Sequence, residues 1–167
     1  MTLCVLVGPM GAGKTTVAGL LADAFGVTVR DTDVDVEATA GRSISDIFVE
    51  SGEAHFRELE RAAVASALAT HDGVLALGGG AVLDPATREL LAGHRVVFLR
   101  VGLAEAVKRV GLGTSRPLLL GNVRSRIKAL LDERTPVYES VADLAVDTDG
   151  RSPEDVADEI RKALESA

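Results

Sequence analysis

Gly8-Pro9-Met10-Gly11-Ala12-Gly13-Lys14-Thr15-Thr16 follows directly on the apolar run Leu3-Cys4-Val5-Leu6-Val7 and leads into Val17-Ala18-Gly19-Leu20-Leu21-Ala22. The pattern Gly-x-x-x-x-Gly-Lys-Thr here lies between an expected strand and an expected helix, the context that separates a phosphate-binding loop from a chance match. Its glycines let successive backbone N–H groups turn inward around an anion, and a helix that begins near Lys14 adds its positive end. Lys14 neutralises phosphate charge, and Thr15 offers a hydroxyl to Mg2+. A glycine-rich turn that binds nothing is the alternative, and Lys-Thr in register argues against it. Gly11, Ala12, Gly13, Lys14, Thr15 and Thr16 are therefore the expected cradle of a nucleoside triphosphate.

Working outward, short runs rich in Val and Leu alternate with longer helical patterns. The expected strands are 3–7, 27–30, 74–77, 96–100 and 144–147, and the expected helices 14–25, 43–50, 53–70, 85–92, 103–110, 123–133 and 153–165. Apolar strands separated by helices belong to a parallel sheet covered on both faces, an α/β architecture. Asp84 before Pro85 and Ser152 before Pro153 are helix starts: a side chain that accepts from free amides, then a proline whose missing N–H is harmless in the first turn. Gly111-Leu112-Gly113-Thr114-Ser115-Arg116-Pro117 interrupts the pattern and carries Arg116 in its middle, in the manner of a functional loop.

A chain of 167 residues, 47% hydrophobic and 26% charged, suits one domain with one ordinary core. Asp and Glu outnumber Lys and Arg by 25 to 18, and the net charge of -7 opposes general affinity for a nucleic-acid backbone or an anionic membrane. One Tyr and no Trp leave no stacking platform for nucleic acid either. Any anion must be captured locally. Cys4, the single cysteine, excludes a disulfide within the chain and reads as a buried, inert thiol. No secretory leader and no apolar run of bilayer length are legible, so the expectation is a cytoplasmic protein without nucleic-acid or membrane partners, and a monomer is expected alongside it. His55, His71 and His94 lack ligand spacing and read as packing or surface residues.

A phosphate-binding loop alone does not choose between a GTPase, a motor ATPase, a passive nucleotide-binding module and a small-molecule kinase. The Asn-Lys-x-Asp guanine reader of GTPases is absent from the sequence, and Val74-Leu75-Ala76-Leu77 runs into Gly78-Gly79-Gly80 rather than into the acidic residue of a motor ATPase. Acid comes instead from Asp31-Thr32-Asp33, at the carboxyl end of the second strand and hence on the sheet edge that carries the phosphate loop. Alternation along an extended chain sends Asp31 and Asp33 to one side, one toward the metal's shell and the other toward a substrate hydroxyl. The competing role for Asp33 is a helix cap. Arg57 in Phe56-Arg57-Glu58-Leu59-Glu60, Arg116 in the glycine-flanked loop, and Arg134 in Glu133-Arg134-Thr135-Pro136-Val137-Tyr138 have settings suited to an anionic acceptor. Two forked guanidinium groups on a carboxylate, with a third over a transferring phosphoryl group, suit a small hydroxy acid better than a nucleotide base. Against this stands the ordinary fate of helix arginines, which pair in solvent with neighbours such as Glu60 at little gain.

Taken together, GPMGAGKTT, DTD, FRELE, GGG, SRPLL and ERTPVY occur in the order and rough spacing of the shikimate kinases. The chain resembles that family over nearly its whole length, most of all its actinobacterial members, with Gly41-Arg42-Ser43-Ile44-Ser45-Asp46-Ile47-Phe48 and Gly52-Glu53 joining the second strand to the arginine helix in the family's manner. The resemblance implies a three-layer P-loop kinase fold, a five-stranded parallel sheet of order 2-3-1-4-5 flanked by helices, spanning residues 1–167 as one domain. Within it the resemblance places a shikimate-binding subdomain at about 33–60 and a lid at about 112–122. It implies ATP and Mg2+ as cofactors and shikimate as acceptor, the γ-phosphoryl group passing to the shikimate 3-hydroxyl in aromatic amino acid biosynthesis.

By the same resemblance, Asp33 holds the ring hydroxyls and helps take the proton from the attacking one, while Asp31 orders Mg2+ through its water shell beside Thr15. Arg57 and Arg134 clamp the carboxylate, and Gly78, Gly79 and Gly80 let the main chain approach the ring. Lys14 and Arg116 act on the transferred phosphoryl group, and Arg109 and Pro153 sandwich the adenine. Ala76 stands where some members of the family carry a hydroxyl residue near the metal's water shell. Two alternatives are a kinase for another small hydroxy acid such as gluconate, and a regulatory protein that binds a nucleotide without turnover. The second would be marked by loss of Lys14, Asp33 or Arg116, and all are present.

Overall fold

The computed structural model describes residues 2–111 and 120–166. Its strands are β1 (Cys4–Val7), β2 (Val29–Asp31), β3 (Val74–Ala76), β4 (Val96–Arg100) and β5 (Leu144–Asp147), all parallel, in the order β2-β3-β1-β4-β5. Among the described residues the helices are α1 (Lys14–Phe25), α2 (Thr32–Ala40), α3 (Ile44–Thr70), α4 (Pro85–Leu91), α5 (Leu103–Gly111), α6 (Leu120–Val141) and α7 (Pro153–Glu165), with a short 3-10 turn at Ala81–Leu83.

Central strand β1 explains the layering. Cys4, Val5 and Leu6 are wholly buried and Val7 is 1% exposed. Cys4 and Leu6 join Leu21 of α1 and Ile160 of α7 in one core, whereas Val5 and Val7 join Val64 of α3, Leu91 of α4 and Tyr138 of α6 in another. A strand's period of two thus divides one apolar run between two faces, and each face needs its own layer of helices. Removing one such side chain, as in Leu6→Ala, costs about 2–5 kcal/mol through lost burial and the cavity left behind. Burial also pushes the Cys4 thiol up to about 12, so it is inert. A third, smaller core gathers Val36 of α2 with Ile47 and Phe56 of α3, away from the sheet.

The start signals act as read: Asp84 accepts from the Ala86 N–H and Ser152 from the Asp155 N–H. Several elements depart from expectation. The helices expected at 43–50 and 53–70 meet end to end as α3, broken only where Gly52 takes φ 82° and ψ 167°. Helix α2 had no expected span, since only Thr32 and Val36 are buried and the apolar period is too weak to read. Helix α6 continues past Glu133 and through Pro136 to Val141. Proline removes one backbone donor there, yet the helix goes on, and Tyr138 two residues further is fully buried. Much of the expected lid, and Arg116 with it, lies outside the described residues. No helix among the described residues is long and apolar enough to cross a membrane.

Candidate active site

The phosphate loop joins β1 to α1 with backbone that side chains resist. Gly13 caps α1 at φ 88° with no side-chain cap, so the first amides of the helix are left for a ligand. Gly8 is required for a different reason: a Cβ there would stand 2.7 Å from the Leu99 carbonyl oxygen of β4. Lys14 folds back over the loop and donates to the carbonyls of Gly8 at 2.6 Å and Pro9 at 2.9 Å. Burial lowers its pKa to about 8, with Asp33 and Asp31 opposing and Arg134 adding to the fall. Lys14, Thr15, Thr16 and Asp31 share a cavity of about 310 Å³ with Asp33, Ala76 and the first residues of the glycine turn. A hydroxyl, a carboxylate and an ammonium on one small cavity fit a metal-bound polyphosphate.

The pair Asp31 and Asp33 is not an alternating strand. Asp31 ends β2 and caps α2, its Oδ1 accepting from the Asp33 N–H at 2.8 Å, and Asp33 lies in the first helical turn. The cap role weighed for Asp33 belongs to Asp31. Both still reach the phosphate cavity, because the helix begins at the carboxyl edge of the sheet. Burial raises the Asp33 pKa, the Asp31 carboxylate adds to the rise, and Lys14 and Arg57 oppose it. A raised carboxyl pKa beside an ammonium is the setting of a proton acceptor.

Asp33 also borders a larger cavity of about 420 Å³, walled by Arg57 and Phe56 of α3, the glycine turn, and Ile127, Leu130 and Arg134 of α6. Arg57 pairs with Glu60 at 2.6 Å and lies over the Phe56 ring, 5.2 Å from its centroid. Glu60 is only 3% exposed, so this is no solvent pair; burial raises its pKa and Arg57 opposes the rise. Arg134 has a buried Nε without a hydrogen-bond partner among the described residues. Such a donor is rare unless a ligand completes it.

The glycine turn meets a different functional side chain at each residue. A Cβ on Gly78 would stand 2.6 Å from Asp33 Oδ1, one on Gly79 3.5 Å from Arg134 Nη1, and one on Gly80 2.5 Å from Arg57 Nη2. Gly78 and Gly80 leave room that a side chain would take from Asp33 and Arg57, whereas the contact at Gly79 is an ordinary one, and the turn is the floor on which these groups converge. Thr32, fully buried, accepts from the Gly78 N–H at 3.4 Å and ties α2 to this floor.

On the far side of the phosphate loop, Arg109 of α5 donates to the Gly11 carbonyl at 2.9 Å and to Thr148 Oγ1 at 3.3 Å, after the end of β5. Arg109 and Pro153 line a cavity of about 320 Å³ together with Gly11, Ala12, Gly13 and Thr16. The expected residues thus fall on three adjoining cavities, with Arg116 outside the described part. Sequence reasoning missed Glu60 as a buried partner, Tyr138, Arg126 on the acceptor wall, and the apolar face of α6. Spacing held the clue for two of them, since Glu60 is three residues after Arg57 and Tyr138 four after Arg134.

A phosphate cradle that opens through one carboxylate onto a second, apolar and arginine-lined cavity has the parts of a P-loop small-molecule kinase. The model of the family described as shikimate kinase matches residues 10–165. The chain belongs to the shikimate kinase family, and it is an ATP-dependent kinase. It is 59% identical over 165 residues to the shikimate kinase of Thermobifida fusca, covering 99% of this chain and 96% of that one. It is also similar to the solved structure of shikimate kinase from Acinetobacter baumannii in complex with shikimate, with TM-score 0.90 and 35% identity over 98% of this chain and 92% of that one. A gluconokinase structure from Sinorhizobium meliloti, at TM-score 0.61 and 19% identity over 98% and 91% of the chains, shares the fold alone.

Proposed function

We propose that the chain transfers the γ-phosphoryl group of ATP to the 3-hydroxyl of shikimate, giving shikimate 3-phosphate and ADP, as a cytoplasmic monomer. The observation that carries this reading is a shared wall: Met10, Asp33, Gly78 and Gly79 line both the phosphate cavity and the acceptor cavity. Asp33 is thereby the carboxylate between donor and acceptor. It holds the attacking hydroxyl and takes its proton, a role supported by its raised pKa. Arg57 and Arg134 hold the acceptor carboxylate, and Gly78, Gly79 and Gly80 admit the ring close to the main chain.

Lys14 swings from the loop carbonyls to the β- and γ-phosphates, while the amides of Gly11, Gly13, Thr15 and Thr16 cradle them; the Ala12 N–H, expected among them, donates to the Pro9 carbonyl at 3.2 Å. Thr15 and Asp31 would hold Mg2+ together with water and the nucleotide, since no group of His, Cys, Asp and Glu among the described residues would cage a metal by itself. Bound there, Mg2+ would supply positive charge that offsets the charge of the phosphates. Adenine lies against Arg109 and Pro153. Arg116 acts on the transferring phosphoryl group, and a lid at about 112–122 and a shikimate-binding subdomain at about 33–60 go with this reading, the latter supported by the separate core of Val36, Ile47 and Phe56.

The test is ADP release with Mg·ATP and shikimate, with gluconate and no acceptor run in parallel. Turnover that depends on shikimate and vanishes in Asp33→Ala is the expected result. Turnover with gluconate instead would discard the acceptor, and ATP binding without turnover would turn the reading toward regulation.

A further inference from the structure

Tyr138 is fully buried, yet it carries a hydroxyl into an apolar core. Its ring packs on Phe98 of β4 with centroids 5.0 Å apart, and its hydroxyl donates to the Gly79 carbonyl over 2.5 Å. Phenylalanine would fill the same space without the cost of burying a phenol, so the polar atom has to be explained by its partner. That partner is the middle residue of the glycine turn. Tyr138 also follows Arg134 by four residues on α6, so both rise from one face of the helix. The Arg134 charge is close enough to oppose the effect of burial on the phenol, and Arg134 Nη1 lies 3.5 Å from the place of a Gly79 Cβ.

We propose that Tyr138 is a positioning residue for the acceptor. By holding the Gly79 carbonyl it fixes the main chain of the glycine turn, and with it the gap between that turn and Arg134 into which a carboxylate-bearing ring must fit. The inference rests on the assignment of Gly79 and Arg134 to the acceptor side. Tyr138 lines none of the three cavities and reaches the phosphate and acceptor cavities through Gly79. Gly79 borders both cavities, but Arg134 lines only the acceptor one, so loss of the hydroxyl loosens acceptor binding more than nucleotide binding.

Tyr138→Phe in the full chain is expected to raise KM for shikimate about fivefold to tenfold, the worth of one neutral hydrogen bond, with kcat and KM for ATP within about twofold of wild type. Combined with Arg134→Lys, it should cost less shikimate affinity than the product of the single losses, as for two groups that act on one contact. An unchanged shikimate KM, or equal losses toward shikimate and ATP, overturns the proposal. Wild-type shikimate binding in Arg134→Lys alone would remove Arg134 from the acceptor side, and a raised KM in Tyr138→Phe would then support action through Gly79. Should Tyr138→Phe fail to fold, the wild-type chain still gives an answer, because Tyr138 is its single tyrosine. With 3-fluorotyrosine incorporated, the lone fluorine resonance should move more on saturation with shikimate than with ADP, and the reverse order also overturns the proposal.

Discussion

Arg57 and Glu60, one turn apart on α3, share a 2.6 Å ion pair whose carboxylate is buried while its guanidinium faces the acceptor cavity. Under the proposed function, Glu60 orients the group that meets the acceptor carboxylate. Glu60→Gln is expected to raise KM for shikimate at least about fivefold, since a charge-assisted bond holding Arg57 is worth about 1.5–3 kcal/mol. Arg57 keeps Glu53 at 3.6 Å, which offsets part of the loss, so urea unfolding should report about 1–3 kcal/mol lost, the cost of weakening a buried charge-assisted bond. A wild-type KM would remove Glu60 from the site.

Asp33 sets activity against stability. Its folded pKa is raised by burial and by Asp31, so the folded chain holds this proton longer than the unfolded one. Stability is therefore lost as pH rises from the ordinary 3.8 through the raised value, and the loss persists at neutral pH. Asp33→Asn should raise Tm by about 2 °C while lowering kcat by about 100-fold or more. In the wild type, kcat/KM should fall on the acid side as pH drops through that same raised value. A variant that is both active and less stable would contradict both assignments.

The Lys14 ammonium, lowered to about 8, gives the opposite sign. The unfolded chain keeps this proton up to the ordinary 10.5, so the Lys14 contribution to stability rises with pH between about 8 and 10.5. Phosphates favour the charged form, so ATP should bind with proton uptake near pH 8 and more weakly above it. Calorimetry in two buffers of different ionisation enthalpy measures that uptake. No uptake near pH 8 would mean that Lys14 stays on its loop carbonyls.

The glycine turn allows kcat and KM to be separated. Gly78→Ala places a methyl group 2.6 Å from Asp33 Oδ1, and Gly80→Ala places one 2.5 Å from Arg57 Nη2. Overpacking against the short Asp33 side chain is expected to cost about 1–3 kcal/mol of stability in Gly78→Ala, and less in Gly80→Ala, where the end of the flexible Arg57 side chain can move aside. Steady-state kinetics should show Gly78→Ala lowering kcat and Gly80→Ala raising KM for shikimate. The same pattern from both would mean that the turn moves as one body.

Arg109 ties the phosphate loop at Gly11 to Thr148 beyond β5. Arg109→Ala should raise KM for ATP about tenfold, from the loss of one charge-assisted contact, and leave KM for shikimate unchanged. A shikimate effect of equal size would place Arg109 in communication with the acceptor side.

Sequence by itself determined the strands, the phosphate loop, the caps at Asp84 and Ser152, and the order of the sheet through family resemblance. These are local or pattern-borne properties: a glycine's φ, a cap's short reach, an apolar period of two or of 3.6. Helix α2 escaped because its faces are nearly uniform, and the far end of α6 because proline normally stops a helix. Only the tertiary structure decided that Asp31 rather than Asp33 caps α2, that Glu60 is buried, and that the turn 78–80 touches Asp33, Arg134 and Arg57 in succession. Those facts join residues far apart in the chain. Which of them meet is set by how two helix layers pack on a central strand, and no local propensity encodes it.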